Sequence, residues 1–309
     1  MSISKMAVAG GALMLLLANA CRAEEHMPIG EGVLHVVANN IHIGDGPSMK
    51  AILEQGTNAV PDIIPYLADS DAATRENAAI LLGILGDARA IPPLVKALMD
   101  QDRNVRRRSI MALEKITTAG PVRIDEAELA GLVQCARGID EQAHRAILIL
   151  GRVAGPEYIP IVKEIFEDAT SQVAQGGGIA VIGNRKTDAC LKALARLGDP
   201  EAHNRVRLLL QSPSAGDRAQ GIEIVSFVGK AMTDELIPLL TDQRDAADIS
   251  PSMAGDYFLR VCDLAADAIR EVYPVEMDSQ KRTRYADDDL QALQKRSTAP
   301  NHPRGMNDE

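Results

Sequence analysis

The chain has no tryptophan, and its three phenylalanines and five tyrosines bring aromatic residues to only 3% of 309 positions. Strands draw on aromatic and β-branched side chains for cross-strand packing. A sequence this poor in rings and rich in Ala, Leu and Ile argues against a β-sandwich and for closely packed helices. Histidine is sparse too. His26, His35, His42, His144, His203 and His302 form no H-x-x-x-H pair, and none stands beside a cysteine at ligand spacing. The usual zinc signatures are therefore missing, and neither a metal nor a cofactor is expected. No G-x-S-x-G elbow and no arguable Cys–His pair occurs, so no catalytic residue is assigned and the chain reads as a binder before an enzyme. Positive charge is in deficit, with 33 Lys and Arg against 43 Asp and Glu and a formal net charge of −10. Nucleic-acid binding needs a basic surface to displace counterions, so no nucleic-acid partner is expected.

Long apolar runs are absent except for one, from Met6 to Leu17. Lys5 precedes it, and Ala18-Asn19-Ala20-Cys21-Arg22-Ala23 and Glu24-Glu25 follow it. A basic start, a short apolar stretch and an A-x-A site make a secretory signal peptide over residues 1–23. The run falls short of the ~20 apolar residues that span a bilayer. Export to the periplasm or beyond is the expectation. Ala18-Asn19-Ala20-Cys21 also resembles a bacterial lipobox, with Ala18 and Asn19 unusual in their places. On that route the signal ends at residue 20 and lipidated Cys21 anchors the protein to the outer membrane, the one membrane link expected. The remaining cysteines, Cys135, Cys190 and Cys262, are odd in number and sit in helical apolar patterns, which reads as buried core.

What is abundant is repetition. Val60-Pro61, Leu67, Asp69, Asp71, Arg75 and Leu82 find counterparts in Ile91-Pro92, Leu98, Asp100, Asp102, Arg106 and Leu113, each 31 residues on. A fixed period of this size marks a solenoid, in which each unit covers the apolar face of its neighbour. Each unit reads as two helices. Proline opens the first, where a missing N–H costs little. Asp-x-Asp ends it and caps the second. Thr74, Ala78, Leu81, Leu82 and Leu85, and likewise Val105, Ser109, Ala112, Leu113 and Ile116, form one apolar stripe per second helix. Gly86-Asp87 closes the unit. Weaker copies start at Ile159-Pro160 and Ile237-Pro238. Further second helices are expected at 140–153, 186–197, 216–229 and 257–271.

On these motifs the chain resembles the HEAT-repeat superfamily, in the short-period type named after phycobilisome lyases. The resemblance is specific over 56–117 and looser to 274. Ala143 replaces the repeated arginine in the third unit, and a glycine-rich segment at 174–184 interrupts the array. The resemblance implies an all-α superhelix of about five to seven helical hairpins whose second helices line a concave face, with partner recognition as the usual role. The expected layout is a signal at 1–23, a cap segment at 24–46 of strand or helix, the solenoid at 47–274, and a polar, largely disordered tail at 275–309 with a short helix at 286–295.

Three local features bear on function. Arg106 matches Arg75 and is expected at the junction between repeats. Arg107 and Arg108 lie off the apolar stripe; with Lys115 and Arg145 they are expected to make a basic strip for an acidic protein partner. Gly176 to Thr187 suggests a phosphate loop, but two residues separate Gly183 from Lys186 and no strand precedes it, so it reads as a flexible inter-helix loop. Arg260 and Asp263 read as a plain intrahelical pair worth ~0.2–0.5 kcal/mol. The function expected is an exported interaction module holding an envelope or secreted protein, in one version as a toxin-neutralising immunity protein. Its rivals are a lyase or lyase accessory, which the resemblance implies, and a structural envelope lipoprotein.

Overall fold

The computed structural model describes residues 47–175, 177–244, 246, 259–273 and 285–297. Cys21, the signal and cap segments, and residues 275–284 and 298–309 lie outside them. The chain divides into two compact units between Val153 and Ala154. The N-terminal unit holds α1 (Pro47–Gln55), α2 (Val60–Ile63) running into a 3-10 turn (Ile64–Ala68), α3 (Ala72–Leu85), α4 (Ile91–Ala97), α5 (Arg103–Ala119), α6 (Glu126–Arg137) and α7 (Ala143–Val153). The C-terminal unit holds α8 (Ile159–Gln175), α9 (Gly177–Arg196), α10 (Pro200–Leu210), α11 (Ala215–Val228), a 3-10 helix (Thr233–Thr241), α12 (Val261–Val272) and α13 (Asp287–Ser297). No strand occurs among the described residues. Among the described residues the helices from α2 to α12 pair into six hairpins, with α1 before them and α13 left as a half-hairpin.

Local chemistry explains the punctuation. Pro61, Pro92 and Pro200 sit in the first turns of α2, α4 and α10, where their fixed φ suits a helix and the lost N–H has no helical acceptor. In each Asp-x-Asp the first carboxylate accepts from the amide of the second aspartate, at 2.8 Å for both Asp69–Asp71 and Asp100–Asp102. The second carboxylate then caps the next helix: Asp71 accepts from the Thr74 amide, and Asp102 from those of Asn104 and Val105. Such a cap contributes about 1 kcal/mol. Gly86 ends α3 at φ +70°, a left-handed conformation that costs glycine nothing.

Second helices pack on second helices within each unit, α3 on α5 and α5 on α7, then α9 on α11 and α11 on α12. First helices pack likewise, α4 on α6 and α10 on the 3-10 helix. The expected stripe is the core. Ala78, Leu81, Leu82, Val105, Ser109, Ala112, Leu113 and Ile116 are all buried, whereas Leu85 is half-buried. Each buried Leu or Ile contributes roughly 1.5–3 kcal/mol. Gly83 lets α3 and α5 approach closely, for a Cβ there would lie 2.8 Å from the Ala112 Cβ and 2.9 Å from its Cα.

Two expectations need correction. The glycine-rich segment is helical from Gly177, and α9 runs unbroken to Arg196 against α8. Glycine is cheap in the first turn, and packing against α8 outweighs the roughly 1 kcal/mol cost of Gly183 inside the helix. The C-terminal region is also docked in part: Leu290 and Leu293 bury against the 3-10 helix and α12, so α13 stands where the first helix of a further repeat would stand.

Tyr285 fixes that docking. Its amide donates to the Asp263 Oδ1 (3.0 Å), its hydroxyl donates to the Asp267 Oδ1 (2.7 Å), and its carbonyl accepts from Arg260 (2.6 Å). Asp263 is fully buried and receives the Arg260 guanidinium through both carboxylate oxygens. Burial pushes its carboxyl up, but the bonds from Arg260 and the Tyr285 amide outweigh burial and hold it below the usual range. The Arg260–Asp263 pair therefore ties α13 to α12, a larger role than a surface intrahelical pair.

Candidate partner-binding face

Arginine plays two parts in this protein, and position in the repeat decides which. At the junction between the first two hairpins Arg75 is buried. Its Nη1 donates to the carbonyls of Asp69 and Ser70 at the end of its own first helix, and its Nε and Nη2 grip Asp100 at 2.7 and 2.9 Å. One side chain thus ties a hairpin's turn to the next hairpin's turn. Arg218 repeats the arrangement in the C-terminal unit: it bonds the Ser212 carbonyl and lies 2.8 Å from Asp242. Arg106 does so more loosely. It holds the Asp100 and Gln101 carbonyls but reaches Asp140 at 3.1 Å, in a pair exposed to solvent at 23% and 53%. The third unit has no such clip, since Ala143 opens α7 and the side-chain amide of buried Gln142 has no hydrogen-bond partner.

Off the stripe, the four cations of the expected strip, Arg107, Arg108, Lys115 and Arg145, lie on α5 and α7 and are exposed or half-buried. Arg108 pairs with Glu76 on α3 at 2.9 Å, and Arg145 pairs with Glu114 on α5. Arg107 and Lys115 are exposed and have no ion-pair partner among the described residues. The expected all-basic strip is thus a mixed one, two closed pairs with two open cations between them. Met111 lies between those cations in sequence and is 42% exposed; Ile80 and Ile84 on α3 and Leu148 on α7 are half-buried. Sequence reasoning passed over Glu76, Glu114 and this apolar centre. The 31-residue offset holds the signal, because it sets Glu76, Ile80 and Ile84 against Arg107, Met111 and Lys115.

The second helices of the C-terminal unit carry pairs as well. Lys192 is 8% exposed and sits 2.7 Å from both Asp188 and Glu223. Arg196 donates to the Phe227 carbonyl and lies over its ring. Burial pushes the Cys190 thiol up to about 12 and the thiol of Cys135, which is half-buried and not in the core as expected, to about 11, and both suit inert thiols. Among the described residues no group of His, Cys, Asp or Glu is placed to hold a metal ion, and no helix is long and apolar enough to cross a membrane.

The paired helices, the Asp-x-Asp turns and the arginine clips agree with the match of residues 60–141 to the family of HEAT repeats. Residues 60–141 are HEAT repeats. The comparison with curated proteins finds no match. Among solved structures, the complex of CpcE and CpcF of phycocyanin lyase from Nostoc sp. PCC7120 is 16% identical, covers 88% of this chain and 95% of that one, and has a TM-score of 0.46. An engineered protein is 17% identical over 88% of this chain and 75% of its own, with a TM-score of 0.43. Human deoxyhypusine hydroxylase is 17% identical over 87% and 95%, with a TM-score of 0.30. Likenesses this distant carry no functional argument.

Proposed function

We propose that this protein is an exported interaction module that holds an envelope or secreted protein on the second-helix face of its N-terminal unit. One specific version is an immunity protein that neutralises a toxin. The observation that carries the reading is the pair of open cations, Arg107 and Lys115, around exposed Met111 on a face whose other charges are closed. Two open cations beside an exposed methionine leave charge and apolar surface available for another molecule to cover. Export rests on the basic, apolar and A-x-A pattern of residues 1–23, with Cys21 as the candidate lipid anchor.

The test is a photo-crosslinking residue placed at Lys115, and separately at exposed Lys96 on α4, in full chain produced in a Gram-negative bacterium. A protein cross-linked from position 115 and not from 96 is the expected result. Equal labelling from both, or none from 115, refutes the assigned face. The mass of the mature N-terminus tests export: a start at Cys21 with added lipid, or at Cys21 or Glu24 without it, is expected, and an intact Met1 refutes it.

A further inference from the structure

We infer that the segment docking on this face is an acidic amphipathic helix lying along α5, with one apolar side chain seated at Met111 between two carboxylates. The inference rests on the binding reading above and adds the chemistry of the occupant. Arg107, Met111 and Lys115 follow one another at i, i+4 and i+8, so they share one side of α5. Eight residues of helix span about 12 Å. A helix on top of them meets both cations with carboxylates seven or eight residues apart and places an apolar residue midway.

Charge sets the sign of the partner. Glu76 and Glu114 are already engaged by Arg108 and Arg145, so the free charge on this side of α5 is positive. A basic segment would be repelled, and a neutral one would leave two desolvated cations unpaired. Apolar surface sets the rest. Among the described side chains, Met111 is the one large hydrophobic on a second helix that is strongly exposed, and its counterpart one repeat earlier, Ile80, is half-buried. Methionine is flexible and polarizable and adapts to an incoming apolar group. The equivalent ridge on α3 carries Glu76, Ile80 and Ile84, so the repeat does not impose this pattern; it belongs to α5. Nucleic acid fits less well, since carboxylates interleave with the cations and a thioether stands between them.

Fluorescence anisotropy with the full chain tests this. The probes are short labelled helical peptides: one with two glutamates seven apart around a leucine, one with lysines for the glutamates, and one with serine for the leucine. A short DNA duplex is the fourth probe. The acidic leucine peptide should bind best, more weakly at higher salt. Arg107→Glu with Lys115→Glu should weaken it by about tenfold or more. Met111→Ser should weaken the leucine peptide and leave the serine peptide unchanged. All three side chains are exposed, and unchanged melting curves confirm that the variants fold. Equal or tighter binding of the lysine peptide or the duplex, binding of no peptide, or indifference to charge reversal overturns the inference. A partner cross-linked from position 115 alongside any of those results leaves the binding reading standing and removes only this chemistry. No cross-link removes the reading itself.

Discussion

At the hairpin junctions, Arg75 and Arg218 are buried, fixed to the carbonyls of their own turn and faced by Asp100 and Asp242 of the next. On the face of α5, a single residue on from the junction arginine Arg106, Arg107 points to solvent, and Arg108 is met by one carboxylate on the preceding second helix. The run Arg106-Arg107-Arg108 therefore divides into a clip, an open cation and a surface pair. The division follows from helix geometry, because successive side chains turn by about 100° and only one in such a run can face the neighbouring turn. Position in the repeat, and not residue type, decides whether an arginine holds the fold or stands open to solvent.

Removing a clip should break this contrast most visibly. Arg75→Ala removes the guanidinium from Asp100 and from two carbonyls and should cost about 3–5 kcal/mol in denaturant unfolding. Arg106→Ala, whose acceptor Asp140 is half exposed, should cost about 1–2 kcal/mol. Equal losses would show that the two junctions are not graded as their burial suggests. Gly83→Ala should cost about 1–3 kcal/mol, because the added methyl meets the backbone of α5 and not a movable side-chain tip.

Acid should separate the two regions next. Burial pushes the Asp100 carboxyl up, but the hydrogen bonds from Arg75 and the Asp102 amide outweigh it and leave it below its ordinary value. A lowered carboxyl stabilises the fold above its unfolded pKa of about 4, and that contribution disappears as pH falls through the lowered folded value. The stability gap between the natural chain and Asp100→Asn should therefore be full at neutral pH and shrink steadily below about pH 4. A gap constant with pH would mean that the clip does not depend on the charge of Asp100. The smallest effect belongs to the face. A double-mutant cycle on Glu76 and Arg108 should give ~0.2–1 kcal/mol, as partly exposed pairs do.

The fold was legible because its signals are local and periodic. Val60-Pro61, Asp69, Asp71 and Arg75 recur 31 residues on, and each has a physical task that any copy must perform. The candidate face was legible by half. Helical spacing placed Arg107 and Arg108 off the stripe, but ion-pair partners sit on a different helix and their pairing depends on how neighbouring helices are staggered. Glu76 meets Arg108 near the starts of α3 and α5, whereas Glu114, late in α5, meets Arg145, early in α7. No single-helix pattern contains that stagger. The docking of α13 was hidden for a similar reason. Leu290, Leu293 and Tyr285 are spread through a polar stretch, and their burial depends on an open helix pair left by the last repeat.

The account stands on a division of labour between junction and face, and one variant tests it most directly. Arg107→Glu with Lys115→Glu should leave the melting temperature of the full chain within error of the natural protein while abolishing the cross-link from a probe at Met111. A fall in stability comparable to that of Arg75→Ala, or a cross-link that persists undiminished, would contradict it.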